Sequence, residues 1–377
     1  MTKPAGALCN MQCSYCYYLH THGSDMAGAV MDDDTLELYI RTYIGAVKEN
    51  VVSFTWHGGE PTLAGLDFYR KAVSLQKKYL PQGKDCWNNL QTNGLLLDDA
   101  WCSFLKENHF DVGISIDGTK FVHDLHRHDT AGSPTYERVA SSVKRLQRHG
   151  IQPDLLCTVT MDTVSAAKSV YKTLAGFHTG WIQFIPIVVV QENGELTEES
   201  VTPQAYGKFL KDIFREWIRN DLGKGNVQII AETALALSGK KPNVCWFAET
   251  CGDVLIVEKD GSVYSCDHYV DADHYLGNIR ETELGVLAEC EQQKAFGNAK
   301  KDTLAKQCRE CPYLDICHGC CPKDRFLINE DGEKVYYLCE GLRMFFDYAV
   351  PLLKKAMELS AQGKTQAQIM QRLKPLT

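Results

Sequence analysis

The 377-residue sequence predicts an α/β fold: a partial (β/α)6 TIM-like barrel followed by a cysteine-rich C-terminal domain with a β-hairpin and helices. Three observations carry that expectation. Strand-like runs alternate with helical stretches through the first half of the chain. The alternation stops after Ile187. The sixteen cysteines are unevenly spread, three within Cys9–Cys16 and ten between Cys245 and Cys339. The length favours two domains, and the split falls at residues 1–225 and 226–377.

Each element has its own signal. A short strand is expected before Cys9. Leu36, Ile40, Tyr43, Ile44 and Val47 recur three and four apart, the period of a helix buried on one face. Strand-like runs at Val51–Trp56, Trp87–Gln91, Val112–Ile116, Leu155–Thr160 and Ile182–Val188 bring the strands to six. Helical stretches near Leu66–Tyr79, Asp98–Glu107, Tyr136–His149 and Val164–Leu174 separate them. Such alternation reads as parallel βα units. Right-handed crossovers curl these into an open barrel, with chemistry at the C-terminal ends of the strands. Beyond them, Pro203 to Asn220 reads as one amphipathic helix with Phe209, Ile213, Phe214 and Trp217 on a face. Val254–Val257 and Val263–Ser265, joined through Asp260-Gly261, read as a hairpin. A final helix is expected near Leu342. No internal repeat or low-complexity segment interrupts the chain.

Composition excludes some roles. The net charge of −8 disfavours a nucleic-acid partner, because phosphate binding needs an excess of Lys and Arg. No apolar run reaches membrane-spanning length; the greasiest, Trp181 to Val190, is broken by Gln183 and Pro186. The start, Met-Thr-Lys-Pro, lacks the blocks of a secretion signal, and only eight residues precede Cys9, so the first strand is expected to be trimmed or to begin at a different start codon. A cytoplasmic location is expected. In that reducing compartment sixteen thiols argue for metal or redox chemistry over disulfides.

The spacing Cys9-x3-Cys13-x2-Cys16 places three thiolates on one short loop. They can hold three irons of a 4Fe–4S cube and leave the fourth open, to be chelated by the methionine part of S-adenosyl-L-methionine (SAM). One electron then cleaves the sulfonium and frees a 5′-deoxyadenosyl radical. The alternative is zinc, which prefers four closed ligands, usually as two separated pairs. Gly58-Gly59-Glu60-Pro61 follows the second strand. Paired glycines let a ligand approach the backbone; the competing reading is a Gly-Pro turn. Gln91-Thr92-Asn93-Gly94 and Ser115-Ile116-Asp117-Gly118 end the third and fourth strands, where Ser115 can bind ribose or carboxylate oxygens, or simply cap a helix. Arg127 is one of several charges in His123–Asp129 and by itself reads as a solvated surface residue. His57 is left unassigned, between a substrate contact and a packed strand end.

A second constellation follows. Cys245-x5-Cys251 leads to Cys266, then Cys308-x2-Cys311-x5-Cys317-x3-Cys321, then Cys339. Eight cysteines suffice for two fully ligated cubes. The other reading is a pair of structural zinc sites, although among these eight cysteines only one C-x2-C knuckle, Cys308-x2-Cys311, is present. Cys320 is the odd residue, and Cys86, Cys102, Cys157 and Cys290 have no partner spacing.

Together these motifs, with Gly58-Gly59-Glu60-Pro61-Thr62-Leu63, resemble the radical SAM superfamily with a SPASM-type C-terminal extension. The closest resemblance is to the anaerobic sulfatase-maturating enzymes, over nearly the whole chain. The resemblance implies oxidation of a Cys or Ser of a sulfatase to Cα-formylglycine, with SAM and three 4Fe–4S clusters as cofactors. It implies SAM contacts from Tyr15, Gly59, Ser115, Arg127 and Val188. Cys245, Cys251, Cys266 and Cys321 would hold the first auxiliary cluster, and Cys308, Cys311, Cys317 and Cys339 the second. Asp267 would be the catalytic base, its basicity raised by burial and cluster charge. The partners implied are an unfolded or nascent sulfatase polypeptide and an electron donor such as flavodoxin or ferredoxin. Two rival functions stand beside this one: another SPASM-type modifier of ribosomal peptides, and a zinc-stapled binding protein without catalysis.

Overall fold

Hydrophobic alternation sets the strands of the parallel sheet. A computed structural model describes residues 1–16, 18, 30–191 and 193–377. Beyond the short strand β1 (Met11–Cys13), the sheet is built from β2 (Val51–Trp56), β3 (Asp85–Thr92) and β4 (Phe110–Ser115). After β5 (Arg127–Asp129) come β6 (Asp154–Val159), β7 (Trp181–Pro186) and β8 (Asn226–Val227). The chain divides into two compact units. The first comprises Met1–Ser115, Asp124–Asp154 and Gly252–Gly297; the second comprises Ile116–His123, Leu155–Cys251 and Asn298–Thr377.

In the first unit β2, β3 and β4 pair in parallel. Val52, Phe54 and Trp56 of β2 are fully buried, while Val51 and Ser53 are exposed. Phe54 and Trp56 stack, and Tyr39 and Tyr69 meet Trp56 edge-on. The Trp56 indole N–H donates to Asn88 Oδ1 (2.8 Å), so the aromatic core leaves no stranded donor there. The helix Asp33–Ala46 starts where the Asp32 carboxylate accepts from Thr35 N at 2.7 Å. Three antiparallel strands, β9 (Ile256–Val257), β10 (Ser262–Tyr264) and β11 (Tyr275–Asn278), complete this unit. The expected hairpin is β9–β10. Its turn is Asp260-Gly261, with Gly261 at φ +86° and the Asp260 carboxylate accepting from Ser262 N.

In the second unit β6, β7 and β8 are parallel. The helix Pro203–Asn220 is capped by Thr202 and buries Phe209, Ile213, Phe214 and Trp217, as its periodicity requires. It packs on the long helix Cys339–Ala361, which begins three residues before the expected Leu342. Gly207 and Gly341 permit this crossing: a Cβ on Gly341 would lie 2.2 Å from Pro203 O.

The expected strand before Cys9 does not form. Only Thr2 makes β-bridges there, to Trp56 and Val257, and Gly6 at φ +56° turns the chain away. The remaining strand of the sheet is β8, whose two residues are too few to show a period. Among the described residues, no helix is long and apolar enough to cross a membrane.

Candidate active site and cluster cysteines

Eight residues carry the first three thiols, and the loop is held from several sides. Met11 N donates to Cys9 Sγ at 3.4 Å, and Cys16 N closes a turn on Cys13 O at 3.0 Å. Strand β1 pairs antiparallel with β5, setting Cys13 opposite Arg127. Arg127 is 6% exposed, and its guanidinium donates to the Tyr15 hydroxyl at 2.9 Å. Arg127 is thus a buried group of this loop, where its sequence context suggested surface. Ser14 bonds His126 twice, through Ser14 N to His126 O and Ser14 Oγ to His126 Nδ1.

The glycine motif presses against the chain leading into that loop. Gly59 N donates to Gly6 O and Glu60 N to Leu8 O, each at 2.8 Å. A Cβ on Gly59 would sit 2.4 Å from the carbonyl oxygens of Ala7 and Leu8, so only glycine fits. Glu60 is fully buried and accepts from Thr62 N, Thr62 Oγ1, Thr92 Oγ1 and Asn93 N. Burial raises its pKa, and those donors oppose the rise. Asn93 in turn reaches Asn10 Oδ1 (2.7 Å) and Cys9 Sγ (3.8 Å). Ser115 accepts from Gln91 at 3.1 Å. Glu60 therefore ties the ends of β2 and β3 to the cysteine loop, a role that its Gly-Gly-Glu-Pro context did not disclose.

Asp267 follows Cys266 in the same unit. Its Oδ1 lies 2.7 Å from Lys3 Nζ and accepts from Tyr18 OH at 3.1 Å. Lys3 is fully buried and also meets Glu258 at 3.2 Å. An ammonium this close favours the ionised carboxylate, opposing the gain in basicity that burial alone would bring. His57 shares this neighbourhood; burial lowers its pKa, with the Asp267 charge opposing and Lys3 assisting.

In the second unit, Cys308, Cys311, Cys317 and Cys339 line one cavity of about 110 Å³, together with Cys320, Tyr336 and Arg343. Burial pushes the Cys317 thiol up to about 12 and the Cys339 thiol up to about 11. Metal ligation must deprotonate such thiols, so their charge would arrive with the metal. All sixteen cysteines are free of disulfides, and an all-thiol donor set suits iron–sulfur clusters. Val188 is buried just beyond β7, and Cys245, Cys251 and Cys321 lie in this unit. Cys266 and the SAM-contact candidates Tyr15, Gly59, Ser115 and Arg127 lie in the first.

Fold and thiol pattern define the class. Residues 5–165 match the radical SAM superfamily, and residues 245–312 match an iron–sulfur cluster-binding domain, SPASM. The protein is a radical SAM enzyme; SAM and a 4Fe–4S cluster are its cofactors, and its SPASM region binds further iron–sulfur clusters. The serine-type anaerobic sulfatase-maturating enzyme of Bacteroides thetaiotaomicron is 38% identical, over 99% of this chain and 94% of that protein. The cysteine-type enzyme of Clostridium perfringens is 33% identical, over 94% and 96%. Native anSMEcpe with bound AdoMet and Kp18Cys peptide superposes with a TM-score of 0.86 at 33% identity, covering 93% of this chain and 96% of that one. The chain belongs to the anaerobic sulfatase-maturating enzyme family.

Proposed function

We propose that this enzyme oxidises a Cys or Ser of a sulfatase polypeptide to Cα-formylglycine. The observation that carries the proposal is the Asp267 carboxylate, 2.7 Å from the buried Lys3 ammonium and directly following Cys266. When bound, SAM and its cluster would supply a 5′-deoxyadenosyl radical for removal of a hydrogen atom from Cβ, and an auxiliary cluster would supply the acceptor for the second electron. Cys9, Cys13 and Cys16 hold the first cube. Tyr15, Gly59, Ser115, Arg127 and Val188 orient SAM. Asp267 takes the thiol or hydroxyl proton, so two electrons and two protons leave the substrate. In the Cys case, water hydrolyses the thioaldehyde to the aldehyde and releases hydrogen sulfide. Lys3 and Tyr18 fix the carboxylate. Cys245, Cys251, Cys266 and Cys321 hold one auxiliary cluster. Cys308, Cys311, Cys317 and Cys339 hold the other, which their shared cavity supports.

The substrate is taken unfolded or nascent, in the cytoplasm, and flavodoxin or ferredoxin supplies the reducing electron. Asp267→Asn keeps the side-chain shape and removes the base. The variant is expected to retain its iron and cleave SAM while yielding much less formylglycine per 5′-deoxyadenosine. Wild-type yield from both Cys and Ser peptides would reduce Asp267 to a structural residue.

A further inference from the structure

Two cations are buried among the cysteine loops of the second unit, and neither has a carboxylate partner among the described residues. Lys300 is 1% exposed and Arg325 is 7% exposed. The Lys300 ammonium donates to the carbonyls of Cys245 (2.7 Å), Trp246 (3.0 Å) and Ala248. His318 Nδ1 donates to the intervening carbonyl, Phe247 O, at 2.8 Å. Four successive carbonyls beside Cys245 are thus turned onto cationic or N–H donors. Arg325 repeats the device one loop away. Its guanidinium donates to the carbonyls of His318 (3.0 Å), Gly319 (2.9 Å) and Cys320 (3.2 Å), and to Lys300 O.

Those three residues stand at φ +46°, +70° and +56°, a left-handed run that L-residues avoid. The run lies between Cys317 and Cys321, and it aims its carbonyls at one guanidinium. A Cβ on Gly319 would lie 2.8 Å from an Arg325 nitrogen, so glycine admits the cation. Nearby carboxylates serve other groups: Glu249 pairs with Lys301, Glu333 with Arg309 and Asp324 with Lys323.

A buried charge costs several kcal/mol unless it is compensated. Carbonyl dipoles soften that cost and supply no negative charge. The groups that can supply it here are the thiolates, because a 4Fe–4S cube on four thiolates is a net anion. We propose that Lys300 and Arg325 are built-in counter-charges of the auxiliary clusters, positioning residues that hold the ligand loops and raise the clusters' reduction potentials. A higher potential favours taking the second electron from the substrate. The inference rests on the proposed auxiliary clusters and assigns residues to their tuning.

The test is an EPR-monitored redox titration of anaerobically prepared holoenzyme. In Lys300→Met, one auxiliary midpoint is expected to move negative by about tenfold in the reduction equilibrium, or 59 mV for a one-electron couple. Lys300→Arg, which keeps the charge, is expected to stay near wild type, and Arg325→Met to shift the other auxiliary signal. Loss of auxiliary iron in Lys300→Met with retention in Lys300→Arg supports the same reading, because only charge separates them. Unchanged midpoints at full iron content, or equal loss in both Lys300 variants, overturns it. Wild-type protein holding only about four irons sinks the underlying reading instead, before any substitution is made.

Discussion

At the scale of single residues, the proposed base Asp267 is defined by its contacts with Lys3 and Tyr18. Lys3 sits between Asp267 at 2.7 Å and Glu258 at 3.2 Å, without exposure of its own. Burial raises the pKa of Glu258, with Lys3 pulling it back. Removing the ammonium therefore leaves two carboxylates competing for a proton. Lys3→Met is expected to destabilise the fold by about 3 kcal/mol, the size seen when one partner of a buried pair is lost. It should also lower formylglycine per 5′-deoxyadenosine, because a protonated Asp267 accepts nothing; Lys3→Arg should recover much of both. Equal product ratios in Lys3→Met and wild type would detach Lys3 from the proton step. A hydroxyl is harder to deprotonate than a thiol. Asp267→Asn should accordingly depress turnover of a Ser peptide more than that of the matching Cys peptide. None of this geometry could be read along the chain, since Tyr18 and Asp267 are 249 positions apart. Cys9, Cys13 and Cys16, by contrast, announce themselves through spacing alone, because one short loop carries all three.

At the scale of elements, close backbone approach decides where the cysteines stand. Gly341 is two residues into the helix that starts at Cys339, and Pro203 O occupies the space its Cβ would need. Gly341→Ala should force the two helices apart, at a cost of roughly 1–3 kcal/mol typical of overpacking. It should also lower iron in the cluster to which Cys339 is assigned. Thermal melts and iron assays of the anaerobically prepared variant check both; an unchanged iron count would uncouple the crossing from the cluster. The elements most legible in the sequence were those with a period: the helix Pro203–Asn220 by its aromatic face, and β2 by alternation of buried and exposed residues. The Asp260-Gly261 turn was legible because its left-handed glycine is a chemical requirement. β1, β5 and β8 escaped because two or three residues carry no pattern, and their pairing partners lie far along the chain.

At the scale of the whole molecule, the two compact units interleave along the sequence. Gly252–Gly297 packs into the first unit and carries Cys266 and Asp267 with it. Cysteine density alone gives no sign of that, because packing follows apolar residues such as Ile256, Val257 and Val263. Iron loading can nevertheless be dissected, since each proposed cube draws on its own thiols. Replacing Cys9, Cys13 and Cys16 by Ala together removes every ligand of the SAM cluster and leaves the eight C-terminal ligands intact. Its iron should fall from about twelve per chain to about eight, with 5′-deoxyadenosine abolished. Cys339→Ala removes one wall of the cavity lined by Cys308, Cys311 and Cys317. It should lose about four irons or become insoluble, because cluster binding supports folding in such domains. Cys320→Ala distinguishes a ligand from a neighbour. Cys320 lines the same cavity, is buried, and holds a left-handed backbone. As a neighbour it should keep full iron, whereas a ligand would lose it. Full iron with normal activity in Cys339→Ala would strike Cys339 from the ligand set, and 5′-deoxyadenosine from the triple variant would move the SAM cluster elsewhere.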